Sequence, residues 1–173
     1  MHFSVTEQLA IASARDIKLL LLDVDGILTD GRLYFSNSGE EIKAFHSLDG
    51  HGIKMLMKAG IPVGIITGRK SNIVAKRAGD LGIEILYQGR EDKIDVLKEI
   101  SANHGIPVDS IGYAGDDLPD LPVLKAVRLS FSVPGAHHSV LEVVHAVTSR
   151  SGGEGAVREI TDFILSSKGF PTS

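Results

Sequence analysis

Four short clusters in this chain hold residue types suited to phosphate and to hard metal ions. Asp23-Val-Asp25-Gly26 sets two carboxyl groups either side of one residue, so they can diverge: one to attack phosphorus in line, the other to serve the leaving oxygen. The same residues also fit a capped turn, because Asp and Gly are common turn formers. Thr67-Gly68-Arg69 supplies a hydroxyl, a glycine with an accessible N–H and a guanidinium suited to carboxylate or phosphate; an ordinary helix entry uses the same types. Lys93 can offset the charge of a nucleophile and of a transferring phosphoryl group, or it can be a solvated helix lysine. Gly115-Asp116-Asp117-Leu-Pro-Asp120 gathers carboxylates that suit Mg²⁺, a hard cation that takes oxygen ligands and keeps several waters. Helix capping with a solvated acidic face is the other reading of that cluster.

Placement joins the four. The aliphatic run Ile17–Leu22 stops at Asp23, as expected of a central parallel strand buried on both faces, and Ile61–Ile66 stops in the same way at Thr67. Ile83–Tyr87 reads as a strand ahead of Lys93, which opens a helix to Asn103, and Ile111–Ala114 leads into the acidic cluster. Further helices are expected over Ser71–Leu81 before Gly82, from a cap at Asp49 through Lys58 before Gly60, and over Ala156–Leu165. Val127–Val133 and the stretch near Val147 read as late strands. Ser4 with Glu7 matches a capping box for a first helix over about residues 4–15, an appendage to the core. Alternation over Gly31–Phe35 and Glu40–Phe45 around Ser36-Asn-Ser-Gly39 predicts a β-hairpin over about residues 31–46. Strand and helix alternate, which argues an α/β fold with a Rossmann-like central parallel sheet flanked by helices, and in such sheets ligands bind beyond the strands' carboxyl ends. All four clusters fall there.

The 173 residues fit one domain, with a C-terminal tail from about residue 150. Hydrophobic residues at 43% and charged residues at 23% allow a packed core. A net charge of −4 favours neither nucleic acid nor an anionic membrane surface. With no cysteine there is no disulfide, thiolate chemistry or Cys-based zinc site, and the cytoplasm is the simplest address. The opening residues lack a signal-peptide pattern, and no apolar run approaches the roughly 18 residues of a transmembrane candidate.

The ordered set resembles the haloacid dehalogenase (HAD) superfamily of aspartyl-phosphate phosphatases. The finer motifs L-L-x-D-V-D-G-x-L-T-D-G, D-G-x-G-I, I-I-T-G-R-K, Y-Q-G, D-K, G-D-D-x-x-D-x-P and G-G-x-G-A-V-R-E follow the order of the 3-deoxy-D-manno-octulosonate 8-phosphate phosphatase family. The resemblance implies Asp23 as nucleophile, Asp25 as general acid/base, and Thr67 and Lys93 as phosphate-positioning groups. It implies Mg²⁺ held by Asp116, Asp23 and the backbone carbonyl of Asp25, with Asp117 and Asp120 ordering metal waters or Lys93. It also implies a core without a cap domain, in agreement with the lack of a large insertion after Asp25 or between Thr67 and Lys93, and a homotetramer whose hairpins form a central barrel. Gly68 and Arg69 are the local substrate-binding candidates, Arg69 for a sugar-acid carboxylate, and Gly152–Arg158 is a candidate cover for a neighbouring site.

His46-Ser47 and Arg90-Glu91 depart from the family pattern, and the seven scattered histidines are read as surface or packing residues. A phosphatase of a nine-carbon sugar acid 9-phosphate is the alternative within the enzyme class, sharing the scaffold and differing in a few pocket residues. From another class, a phosphoaccepting signalling domain also combines Asp, Thr and Lys, but on a lone Asp after a middle strand.

Overall fold

The computed structural model describes residues 1–172. In chain order it contains β1 (His2–Phe3), α1 (Glu7–Asp16), β2 (Leu19–Leu22), β3 (Tyr34–Phe35), β4 (Glu41–Ile42), α2 (Ser47–Lys58), β5 (Val63–Thr67), α3 (Asn72–Leu81) and β6 (Ile85–Gln88). There follow α4 (Lys93–His104), β7 (Ile111–Ala114), α5 (Leu121–Ala126), β8 (Leu129–Ser132), α6 (His138–Leu141), β9 (Ala146–Val147) and α7 (Ala156–Ser167).

The four leucines of β2 are fully buried because helices cover both faces of the sheet. Alternate residues split between the two faces. Leu20 and Leu22 pack with Ile53 of α2, Val74 of α3 and Ile160 of α7, whereas Leu19 and Leu21 pack with Val96 of α4 and Val123 of α5. Strand order is β1-β9-β8-β7-β2-β5-β6, parallel except where β1 runs antiparallel to β9. From β2 the chain winds outward through β5 and β6, then returns to β7 on the other side. The switch point between β2 and β7 opens a crevice at their carboxyl ends. The parallel sheet flanked by helices is the expected α/β fold, and β3 pairs with β4 as a separate hairpin, shorter than the alternation predicted.

Three local expectations are corrected. Ser4 does not cap α1: Thr6 does, accepting from Leu9 N, while Ser4 Oγ donates to Val144 O at 2.5 Å because β1 is drawn to the sheet edge. Nor is α1 an appendage, since Ala10 and Ala14 are buried. Asp49 does not cap α2: the His46 ring does, through Leu48 N, and Asp49 lies buried within the first turn. Among the described residues no helix is long and apolar enough to cross a membrane.

Candidate active site

Asp23 leaves the end of β2 into the crevice, its N–H bonded to Ala114 O of β7 at 2.9 Å. Its side chain is buried, and Lys93 Nζ stands 3.0 Å from Oδ1. Burial pushes the Asp23 carboxyl up to about 7, the negative charge of Asp120 adds to the rise, and Lys93 opposes it. Asp116, in the loop after β7, is likewise raised to about 7 by burial and by the charges of Asp23 and Asp120. Its Oδ1 is shielded from solvent and has no hydrogen-bond partner among the described residues.

Asp120 is held differently. Its Oδ1 receives Lys93 Nζ at 2.6 Å and the Tyr113 hydroxyl at 2.5 Å, and its Oδ2 receives the N–H groups of Asp116 and Asp117, each at 3.1 Å. Carboxylate oxygens of Asp23, Asp116 and Asp120 lie within 4.8 Å of one another, the only such acidic or histidine group among the described residues. Because both Asp120 oxygens are engaged, Asp120 fits the part of Lys93 anchor. Asp116 Oδ1 is the oxygen of this cluster without a hydrogen-bond partner among the described residues, while Asp23 faces Lys93. Burial works against the Lys93 ammonium, yet Asp23 and Asp120 outweigh it and hold its pKa above the usual value. Asp117 is exposed and caps the turn Leu118–Asp120 through Leu118 N.

Gly26 is required by space. At φ +93° it adopts a left-handed backbone, and a Cβ there would fall 2.1 Å from Asp116 Oδ2.

Asp25 points to the opposite wall, where Lys43 Nζ pairs with its Oδ1 and Arg69 Nε lies 3.7 Å from its Oδ2. Glu41 accepts from Arg69 at 3.4 Å and from Ser71 Oγ at 2.5 Å, and lies 3.5 Å from Lys43. The hairpin thus supplies two residues, Glu41 and Lys43, that the motifs do not reveal. A signal existed: Glu41, Lys43 and Phe45 recur at every second position and share the less exposed face, with Ile42 and Ala44 turned outward. Thr67 ends β5 buried, its Oγ1 3.4 Å from Arg69 N, and Gly68 has room about it, with Glu91 Cγ 3.6 Å from where a Cβ would stand. Asp23, Asp116, Asp120 and Lys93 therefore form one cluster, and Asp25 and Arg69 form a second with Lys43. His46 caps α2, His137 caps α6, and Arg90 is taken up by Asp92 and Glu99.

A groove of about 400 Å³ extends from Asp116, lined by Gly26, Asp30, Arg32, Gly152 and Glu154 among others. It is large enough for a sugar.

No family model matches the chain. Among curated proteins it is 45% identical over 159 residues to the 3-deoxy-D-manno-octulosonate 8-phosphate phosphatase of Escherichia coli K12, covering 92% of this chain and 85% of that one. The Yersinia pestis 3-deoxy-D-manno-octulosonate 8-phosphate phosphatase superposes with a TM-score of 0.91 at 45% identity, over 93% of this chain and 87% of the other. A Moraxella catarrhalis phosphatase of the same name, solved in complex with magnesium ion, phosphate ion and a KDO molecule, gives a TM-score of 0.93 at 39% identity, over 95% and 94% of the two chains. With the motif order and the crevice geometry, these likenesses settle the lineage: the chain belongs to the 3-deoxy-D-manno-octulosonate 8-phosphate phosphatase family of the HAD superfamily.

Proposed function

We propose that this chain hydrolyses 3-deoxy-D-manno-octulosonate 8-phosphate to 3-deoxy-D-manno-octulosonate and phosphate, with Mg²⁺ as cofactor, in lipopolysaccharide precursor synthesis. The observation that carries the reading is the meeting of Asp23, Asp116 and a buried Lys93 at one switch-point crevice, in a chain 45% identical to a phosphatase of that name.

The residues fit the metal. Two crowded carboxylates with raised pKa values, and a shielded Asp116 oxygen without a hydrogen-bond partner among the described residues, form a hard-oxygen donor set suited to a cation. Asp23, Asp116 and the backbone carbonyl of Asp25 would hold it. When bound, Mg²⁺ offsets the charge shared by the carboxylates and the phosphoryl oxygens.

Asp23 then attacks phosphorus, the bond from phosphorus to the sugar oxygen breaks, and Asp25 gives its proton to that oxygen. Asp25, now a base, takes a proton from water, which attacks the aspartyl phosphate, frees phosphate and restores the Asp23 carboxylate. Lys93 and Thr67 hold phosphoryl oxygens through the transition state, assisted by the N–H of Gly68. Lys43 fixes the direction of Asp25. Arg69, half exposed beside Asp25, is placed to meet a sugar-acid carboxylate.

A homotetramer in the cytoplasm completes the reading. Its support is the hairpin, which exposes Leu33, Tyr34, Phe35 and Ile42, an apolar patch of the kind that subunit contacts cover.

The test is Mg²⁺-dependent phosphate release, comparing kcat/KM for the eight-carbon 8-phosphate, the nine-carbon 9-phosphate and sugar phosphates without a carboxylate. Preference for the first is expected. Preference for the second keeps the mechanism and moves the substrate, and no release from any overturns both.

A further inference from the structure

The motif Asp49-Gly50-His51-Gly52-Ile53 takes no part in the chemistry above, although Asp49 is only 2% exposed. We infer that Asp49 is a positioning residue for the substrate groove, fastening the start of α7 and, through it, the glycine turn 152–155 against the loop that follows Asp25.

The first N–H groups of a helix need acceptors from outside it. α7 begins after Gly155, which sits at φ +99° and has no side chain with which to cap. Asp49 supplies the acceptor from α2: its Oδ1 receives Arg158 N at 2.7 Å. Its Oδ2 has no hydrogen-bond partner among the described residues, so the contact is kept at the cost of burying an unmatched carboxylate oxygen.

The two helices meet this closely because Gly52 leaves room: a Cβ there would lie 2.3 Å from Thr161 Oγ1 and 2.9 Å from Arg158 Cδ. Asp49 and Gly52 thus form one seam with α7.

The far end of that seam reaches the site. Gly153 N donates to Ile27 O at 3.2 Å. A Cβ on Gly152 would fall 1.8 Å from Gly26 O, and one on Gly153 2.7 Å from Asp30 N. The glycine turn therefore touches backbone of the loop after Asp25, and both segments line the groove beside Asp116. If α7 loses its fastening, the turn moves and the groove changes width, while the Asp23, Lys93 and Asp120 cluster, borne by β2, α4 and the loop after β7, stays in place.

This inference rests on the proposed function for its substrate, and its test separates the two. Wild type, Asp49→Ala, Asp49→Asn and Gly52→Ala are compared on the sugar acid 8-phosphate and on p-nitrophenyl phosphate, whose flat ring does not need the groove walls. Asp49→Ala is expected to lower kcat/KM for the sugar acid phosphate about tenfold or more, chiefly through KM, and to change p-nitrophenyl phosphate turnover by less than about twofold. Asp49→Asn keeps an oxygen for Arg158 N and is expected to restore the sugar acid value to within about threefold. Gly52→Ala, which pushes α2 from α7, is expected to reproduce the split and decides the matter if Asp49→Ala does not fold. Equal loss on both substrates, no loss on either, or an Asn variant as poor as the Ala variant overturns the inference. If wild type prefers another sugar phosphate, the substrate reading fails while the same ratio, taken on the preferred substrate, still judges Asp49.

Discussion

Asp120 grips Lys93: its Oδ1 takes the ammonium at 2.6 Å, inside the 3.0 Å that separates the same nitrogen from Asp23. Removing one partner of a buried ion pair costs about 3–5 kcal/mol where the other charge is left stranded. Asp23 stays beside Lys93, so Asp120→Ala is expected to lose stability in urea unfolding by less than that. It also frees the N–H groups of Asp116 and Asp117, so kcat should fall about a hundredfold, as for a misplacement of roughly 1 Å. An unchanged urea midpoint would show that Asp23 alone suffices to hold Lys93.

Asp23→Asn removes the attacking oxygen and is expected to cut phosphate release by about 10⁴-fold or more. Asp25→Asn leaves the nucleophile but no proton carrier, with an expected loss of about 10²–10⁴-fold. Rapid-quench measurement of the acyl phosphate separates them: the first variant should form none, the second should form it slowly. Turnover like wild type in Asp23→Asn would end the covalent mechanism.

Lys43 is buried against Asp25 by the hairpin. Lys43→Met keeps the apolar stem and removes the charge, so Asp25 would turn toward Arg69 alone. The expected result is a fall of about tenfold in kcat with thermal unfolding little changed, because the loss is one of aim.

Asp23 and Asp116 are both raised to about 7 by burial and by neighbouring negative charge. In the metal-free protein the folded state then binds more protons than the unfolded chain between the ordinary carboxylate range and pH 7. Their contribution is favourable below that range and is lost as pH rises through 7. With EDTA, Tm is expected to drop from pH 6 to pH 8. Saturating Mg²⁺ should cancel the drop, adding about 2.7 kcal/mol at a hundred times its Kd. A Tm that rises over that interval without metal would contradict the site's electrostatics.

His145 gives the opposite slope. Its Nδ1 accepts from Ser130 N at 3.1 Å and from Ser130 Oγ at 2.7 Å, and burial, helped by the charge of Arg128, holds its pKa below 6.5. The unfolded chain therefore takes up the proton first, and stability should fall as pH drops below about 6.5. With saturating Mg²⁺, which removes the opposing slope of Asp23 and Asp116, Tm measured at pH 7.5 and pH 5.5 should change less in His145→Asn than in wild type.

The strands that end in chemistry were legible because each is an unbroken apolar run stopped by a polar residue: Leu19–Leu22 before Asp23, and Ile111–Ala114 before the acidic loop. The central parallel sheet follows from that grammar. Contacts set by how distant segments fold back were not legible. Lys43 reaches Asp25 only once the hairpin segment folds back to the loop after β2, and the Tyr113 hydroxyl meets Asp120 only because the loop after β7 doubles back. Ser4 looked like a cap by spacing alone, but pairing of β1 with β9 claimed it for Val144. Asp49 misled in the same way: an acid near a helix start reads as that helix's own cap, and its real acceptor role lies on a helix far along the chain.

The pairing of β2 with β7 joins segments far apart in sequence, with the hairpin, β5, β6 and the helices α2, α3 and α4 between them. Closing so long a loop costs entropy before any contact rewards it, and parallel pairing of this kind forms slowly. Asp23 and Asp116 are therefore strangers until that last seam zips. During refolding from urea, helical signal should return well ahead of phosphatase activity, so the recovery of turnover serves as a clock for completion of the central sheet.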